Sequence, residues 1–438
     1  MTKKWSRSDV RECIREMGLD PFEVDFHIVP ANVLYDLAAR ALPGRYSHWS
    51  HGKSFHEGIT RHDYRFGRIY ELVFNTDPCQ AFLLDVNSEI INLLVQAHVY
   101  GHSDFFKMNR EFSGTDRGMN LNAAMRAERI RKYEEEYGED EVREAIDDIL
   151  AVEFYAEHDR YDARIKEKST NERKPGEFDD LLKKPEVFVK DPSYDEKVRF
   201  SGLPTMDVLG FLMAEAPVED WKRDLISIVR EDGLYFMPQI KTKIINEGWA
   251  SFIHQKVMRQ LDIGDHEYFE YAETNAGVVS AGQVSLNPYW LGVQIFKDVE
   301  KRLGWEEALR ARRMETNSGF LRNYLTKELI EELDLLHYRE TERHYVVGDT
   351  EWERIRNHLI EEVTDRMPSI LVVDKNYKKE GALLIKHNYY GRSLEKEDAI
   401  MVLRHLKNLW KRKVYLETVI WENGKVEVWS SEDKVKGE

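Results

Sequence analysis

One apolar segment runs from residue 85 to residue 106, and its hydrophobic residues cover nearly every face of a helix. A helix that is apolar all round is typical of the interior of a large domain. The segment nevertheless contains His98 and His102, which are four residues apart and therefore lie on one side of a helix. We predict a buried helix with two imidazoles on one face.

A second helical pattern extends over residues 239–262. Within it Glu247 and His254 are seven residues apart, or two turns, so that they share a face. Two histidines at helical spacing can bind one metal ion, and a glutamate can join them as a third ligand. The alternative is a pair of core histidines whose nitrogens are satisfied by carbonyl or carboxylate oxygens.

The segment Asn246-Glu247-Gly248-Trp249-Ala250 is similar to the one that supplies the glutamate ligand in zinc peptidases of the gluzincin type. In those enzymes the first helix carries His-Glu-x-x-His, and its glutamate activates the metal-bound water. Val99 occupies that position here and cannot transfer a proton. We therefore expect a zincin-like helix pair that lacks the usual base.

The remaining patterns predict a mixed fold. Strands over residues 69–74 and 81–84 precede the histidine helix, and helices are predicted over 122–137, 141–158, 206–213, 221–231 and 289–303. Residues 161–202 are charged and without periodicity, which indicates a long, mobile surface loop. Two strands, a helix over 396–410 and two strands joined by Asn423-Gly424 end the chain. We predict an α+β protein with a mainly helical domain over residues 1–365 and a small ββαββ domain over 366–438.

Composition and charge exclude several classes of protein. The chain has 438 residues, a net charge of −16 and two cysteines, which argues against general binding to nucleic acids or anionic membranes and against a disulfide framework. The N-terminal segment lacks the apolar core of a signal peptide, and no run approaches the ~18 apolar residues of a membrane span. The expected compartment is the cytoplasm.

A segment rich in basic and aromatic residues lies between residues 45 and 56. It includes Gly52-Lys53-Ser54, but a nucleotide-binding loop needs glycine where Ser47 stands, as well as a preceding strand. Such segments are often binding surfaces, and a solvated loop around a buried Trp49 is the alternative. The predicted ligand-binding residues are Arg45, His48, Lys53 and His56.

Several sequence blocks together resemble the stage V sporulation protein R family (SpoVR). The blocks are Ser47-His48-Trp49-Ser50, Gly52-Lys53-Ser54-Phe55-His56, Tyr70-Glu71-Leu72-Val73, Ala97-His98-Val99, Asp104-Phe105-Phe106, Asn246 to Ser251, Asn275 to Val279, Asn287-Pro288-Tyr289, Arg322 to Leu325 and Leu416 to Val419. Val99 is the residue of the family pattern. Glu157-His158-Asp159 departs from that pattern, which has Glu-His-Ile-Asp.

The resemblance implies a cytoplasmic protein of spore-cortex formation or stress response. It also implies partners, namely a serine protein kinase and a von Willebrand-type domain protein, and we regard a homodimer as a further expectation.

Two main hypotheses of function follow. The first is a metal-dependent hydrolase or a relic of one. Its metal, for which zinc is the candidate, would be bound by His98, His102 and Glu247, with His254 or His158 as a fourth ligand or as a partner behind the ligands. The base would be Glu71, Asp104 or Glu231. The second is a non-catalytic regulator or scaffold that docks the kinase or a cell-wall enzyme through residues 161–202 and the C-terminal domain.

Overall fold

The computed structural model describes residues 6–41, 45–46, 48, 71–156, 203–280, 287–335, 337–340, 345–349, 351–364, 368–389, 393–420 and 424–435. The predicted loop at 161–202 lies outside these residues. The chain divides into two compact units. Unit 1 comprises Met1–Ala127 and Phe236–Arg366, and unit 2 comprises Glu128–Tyr235 and Met367–Glu438.

Helices account for most of the described residues, which confirms the mainly helical prediction. The helices are α1 (Arg7–Glu16), α2 (Ala31–Arg40), α3 (Glu89–Met108), α4 (Met119–Tyr137), α5 (Glu139–Leu150), α6 (Val208–Glu215), α7 (Asp220–Gln260), α8 (Asp265–Val278), α9 (Pro288–Leu303), α10 (Trp305–Met314), α11 (Asn317–Tyr324), α12 (Lys327–Glu332), α13 (Trp352–Thr364) and α14 (Lys396–Trp410). The strands are β1 (Val24–Val29), β2 (Glu71–Phe74), β3 (Cys79–Leu84), β4 (His337–Glu340), β5 (Tyr345–Asp349), β6 (Ile370–Tyr377), β7 (Ala382–His387), β8 (Val414–Val419) and β9 (Val426–Ser430).

In unit 1 a three-stranded sheet leads into the histidine helix. Its strand order is β1-β3-β2, with β1 parallel and β2 antiparallel to the central strand β3. The sequence predicted β2 and β3 but not β1, although Val24, Phe26 and Ile28 alternate with Asp25 and His27. A short turn connects β3 to α3, where the Ser88 hydroxyl caps the helix by accepting a hydrogen bond from the Ile91 amide at 3.3 Å.

Glycines allow the main helices of unit 1 to approach closely. A Cβ atom placed on Gly101 of α3 would lie 2.7 Å from the Cα atom of Ala250 on α7. One placed on Gly248 of α7 would lie 2.5 Å from the Cα atom of Gly292 on α9. Side chains at these positions would force the backbones apart, so glycine sets the spacing of α3, α7 and α9.

Helix α7 is a single helix of 41 residues that continues through Pro238. The sequence predicted two separate helices around this proline, and that prediction was wrong. Proline removes one main-chain hydrogen bond, but packing supplies most of the stability of a helix in a protein. The Thr242 hydroxyl donates a hydrogen bond of 2.7 Å to the Pro238 carbonyl oxygen.

In unit 2 the C-terminal segment forms a four-stranded sheet of order β6-β7-β8-β9, as the sequence predicted. Strands β7 and β8 are parallel, and α14 connects them. Helix α14 contacts α5 through Asp148, whose carboxylate accepts hydrogen bonds from His405 at 2.8 Å and Asn408 at 2.9 Å. Unit 2 therefore joins the C-terminal sheet to helices from the middle of the chain.

The close helix contacts predict a position-specific effect of alanine. We expect Gly101→Ala and Gly248→Ala to destabilise unit 1 by about 1–3 kcal/mol each, because the added methyl group overpacks a backbone contact. Gly277→Ala is the matched control, since Gly277 is also helical but has open space around it; it should be neutral or stabilising by up to about 1 kcal/mol. Thermal melting tests this, and equal midpoints for all three variants would contradict it.

The contact between α14 and α5 predicts a pH-dependent stability. The hydrogen bond to Asp148 raises the pKa of His405 above its usual value. Because the pKa of His405 is higher in the folded state, its contact with Asp148 stabilises the fold fully below the unfolded pKa of about 6.5. This stabilisation is lost as the pH rises through the folded pKa. We expect the difference in melting temperature between the wild type and His405→Gln to be larger at pH 6 than at pH 8.5. Asp148→Asn should remove the same pH dependence.

Candidate metal centre

Two helices of unit 1 bring His98, His102 and Glu247 together. The Glu247 Oε2 atom lies 3.3 Å from His102 Nε2 and 3.7 Å from His98 Nε2. One ligand atom of each residue lies within 4.8 Å of the others. The two imidazole rings are buried and nearly perpendicular, at 85°. The spacing on α3 and the position of Glu247 on α7 thus place three ligand atoms around one point.

These separations are those of ligands that share a metal ion. Zinc bonds of about 2.0–2.1 Å in a tetrahedral arrangement put neighbouring ligand atoms roughly 3.3–3.5 Å apart. The distance from His102 to Glu247 falls in that range, and the distance from His98 to Glu247 is a few tenths of an ångström longer. Two imidazoles and one carboxylate are a donor set suited to zinc and related divalent metals.

Asn246 orients the His102 ring. The His102 Nδ1 atom lies 2.9 Å from the Asn246 amide oxygen, and both groups are buried. Because the oxygen can only accept, Nδ1 carries a proton, and Nε2 is the nitrogen that faces Glu247. Partners of this kind behind a metal-binding histidine fix its tautomer and orientation.

A chain of hydrogen bonds orients the His98 ring in the same sense. Asn275 Oδ1 lies 2.8 Å from His254 Nε2 and accepts a further hydrogen bond from the Gln255 amide. His254 therefore donates from Nε2, and its Nδ1 accepts from His98 Nδ1 at 3.0 Å. The His98 Nε2 lone pair is left facing the cluster. Burial, with the adjacent His98, lowers the pKa of His254 to about 3, so that its ring stays neutral.

The charges of the cluster favour a cation between the rings and the carboxylate. Burial alone would raise the pKa of Glu247, but His102 and His98 outweigh it and hold that pKa well below its usual range. Burial alone would lower the pKa of His102, but Glu247 outweighs it and the pKa is raised. His98 Nε2 and Glu247 Oε2 are buried and have no hydrogen-bond partner among the described residues. Since such atoms cost about 1–3 kcal/mol each, a shared metal ion fits this cluster.

Glu71 approaches the cluster from strand β2. Its Oε1 atom lies 3.8 Å from His98 Nε2, but the set of three mutually close ligands does not include it. Burial raises the pKa of the Glu71 carboxyl, and the nearby histidines oppose that effect only in part. Glu71 therefore lies beside the predicted metal position and outside the ligand set.

Asp104 follows His102 by two residues, so that it lies on a different side of α3, and it is occupied by structural contacts. Its carboxylate pairs with Arg312 and accepts hydrogen bonds from Trp249 Nε1 at 3.0 Å and from the Asp20 amide at 3.1 Å. The carboxylate and the guanidinium are both buried. Asp104 thus connects α3 to α7 and α10, and its oxygens are not available to a water molecule in the cluster.

The other predicted residues lie elsewhere. Glu231 belongs to unit 2, where its carboxylate is 3.9 Å from the Arg230 guanidinium. The Arg45 guanidinium lies over the rings of Tyr46 and Phe236, and His48 is half-buried. Lys53, His56 and His158 lie outside the described residues.

Sequence patterns did not assign a role to Asn246, Asn275 or Tyr289. The Tyr289 ring stacks on that of His98 at 6.3 Å between centroids. The negative charge of Glu247, together with burial, raises the pKa of the Tyr289 phenol well above its usual value. The sequence does contain one signal for such residues, namely a polar side chain near the start of a largely apolar helix. Tyr289 is an example, because it follows the Asn287 cap of α9.

Comparison with known proteins places this helical protein, with its buried His/His/Glu cluster, in a family. The family described as SpoVR like protein matches residues 3–367, and the SpoVR-like C-terminal domain matches residues 368–420. The chain belongs to the SpoVR family.

A relative from Escherichia coli (strain K12) bears the name "Uncharacterized protein YcgB". It is 27% identical over 463 residues, which cover 94% of this chain and 90% of that protein. No solved structure matches the chain. None of the described helices has a segment long and apolar enough to cross a bilayer.

The contacts of Asp104 predict a large structural effect. We expect Asp104→Ala to lower the free energy of unfolding by about 3–5 kcal/mol, because Arg312 would remain buried without its partner. Asp20→Ala is the matched control. Its exposed carboxylate pairs with Lys107 at 2.7 Å, and its loss should cost less than about 1 kcal/mol. Urea unfolding of both variants tests this, and equal effects would contradict the structural role.

Proposed function

We propose that this protein binds one divalent metal ion, with zinc as the first candidate, through His98, His102 and Glu247. The observation that carries the proposal is the convergence of three buried ligand atoms within 4.8 Å. The tautomers that Asn246 and His254 impose direct both Nε2 lone pairs to the same point. The helix pair would then be zincin-like in its ligands.

We further propose that the centre performs metal-assisted hydrolysis with Glu71 as its base. A metal ion held by His98, His102 and Glu247 would supply a bound water with a pKa lowered to about 7. Val99 is fully buried and apolar, so α3 supplies no base of the zincin kind. The Glu71 carboxylate approaches within 3.8 Å of His98 Nε2 from strand β2 and is the group that can accept the proton.

The proposed cellular setting comes from the family. We propose that the centre acts in the cytoplasm, in spore-cortex formation or stress response. The serine protein kinase and the von Willebrand-type domain protein remain proposed partners, and a scaffold role through the C-terminal sheet remains the alternative to catalysis.

Metal analysis of the purified protein tests the ligand set. We expect about one equivalent of zinc in the wild type. His98→Ala and Glu247→Gln should each lower the zinc affinity by about 100-fold or more, because the loss of a metal ligand costs more than the loss of a group that hydrogen-bonds to a ligand. His266→Ala is the control, because His266 is exposed on α8. A wild type without stoichiometric metal would contradict the proposal.

The same measurement distinguishes a base from a ligand at position 71. Glu71→Gln should keep zinc affinity close to that of the wild type, because Glu71 lies outside the ligand set. A loss as large as that of Glu247→Gln would instead make Glu71 a fourth ligand and would contradict its role as the base.

A further inference from the structure

A small cavity lies beside the C-terminal end of α7 in unit 1, on a part of that helix that the proposed metal site does not use. Its volume is about 210 Å³. The residues that line it come from α7 and α9. They are Phe252, Gln255, Lys256, Arg259, Lys297 and Glu300.

The cavity carries positive charge that the surrounding protein leaves uncompensated. Lys256 pairs with Glu300 at 2.6 Å. Arg259 and Lys297 form no ion pair with any residue that the structure describes, although the chain as a whole has a net charge of −16. Burial and the nearby Arg259 guanidinium lower the pKa of Lys297. Arg259 is exposed and Lys297 is half-buried, so both cations are accessible to an anion that enters the cavity.

The donors in this cavity suit a tetrahedral oxyanion. Arg259 offers a planar fork that can bind two oxygens at once, Lys297 offers a compact charge, and Gln255 offers an amide. A cavity of this size holds a phosphate group but not a large apolar ligand. We propose that it binds a phosphate group, either as free inorganic phosphate or as part of a phosphomonoester.

Gln255 also connects this cavity to the cluster on α3. Its side-chain amide lines the cavity and donates a hydrogen bond to Asn275 Oδ1 at 3.4 Å. The same oxygen accepts from His254, which in turn accepts from His98. The Gln255 amide has a second N–H donor, and an anion that draws this amide into the cavity lengthens the already long contact to Asn275 and thereby disturbs the orientation of His98. This coupling, unlike the anion site itself, rests on the proposed metal centre.

Calorimetric titration of the metal-free full chain with inorganic phosphate tests the site, with chloride used to keep the ionic strength constant. We expect saturable binding to one site in the wild type and a loss of affinity of about tenfold or more in Arg259→Gln and in Lys297→Gln. Lys301→Gln is the matched control, because Lys301 is exposed one turn further along α9. A parallel titration with glycerol 3-phosphate shows which source binds more tightly.

Two results would overturn the anion site. One is the absence of saturable binding by either probe in the wild type. The other is binding that the double variant Arg259→Gln/Lys297→Gln retains while its melting temperature shows that it is folded. Because these titrations use metal-free protein, they decide the anion site even if no metal binds.

The coupling is tested with sulfate, which has the same shape as phosphate and does not precipitate zinc. We expect the zinc affinity of the wild type to differ by about fivefold or more between sulfate and chloride at equal ionic strength. In Gln255→Leu that difference should disappear while zinc still binds. A wild-type zinc affinity that sulfate leaves unchanged would overturn the coupling.

Discussion

The structure of unit 1 depends on the close approach of α3 and α7. Gly101 lies between the two histidines in sequence, and the absence of a side chain there lets the Ala250 backbone of α7 come into contact with α3. Glu247 and Gly248 lie just before this contact on α7. The backbone spacing is therefore what brings a carboxylate within 3.3 Å of a buried imidazole. If α3 and α7 were further apart, His98, His102 and Glu247 would be buried without contacting one another.

Contacts outside the cluster fix its orientation. The Asp104–Arg312 pair and the hydrogen bond from Trp249 hold α3 and α7 in one rotation about their axes. Asn246 and His254 then set the tautomers of the two rings. Each of these groups satisfies a buried polar atom. Because the hydrogen bonds form in only one arrangement of the side chains, they hold the cluster in that arrangement. The buried atoms without a hydrogen-bond partner include His98 Nε2 and Glu247 Oε2, which lie 3.7 Å apart, and this makes a metal ion a suitable occupant.

Under the proposed function, the protein would share the ligands of zinc peptidases but not their base. Valine at position 99 is buried in the core of unit 1, whereas the carboxylate beside the cluster comes from Glu71 on strand β2. If this carboxylate acts as the base, this protein takes its base from the sheet and not from the histidine helix. The basic cavity at the other end of the Asn275–His254 chain would give such a centre a second ligand site.

The sequence alone determined the local features of this protein. Helical periodicity put His98 and His102 on one face and Glu247 on another helix, and Asn423-Gly424 indicated the last strand pair, because these patterns depend on neighbours in sequence. It could not determine that α7 continues through Pro238, that β1 joins the sheet, or that Asp104 forms a buried ion pair with Arg312. Those outcomes, like the pairing of His102 with Asn246 across 144 residues, depend on which surfaces pack together. Tertiary packing decides them, since local propensity is weak beside the burial of a whole helix face.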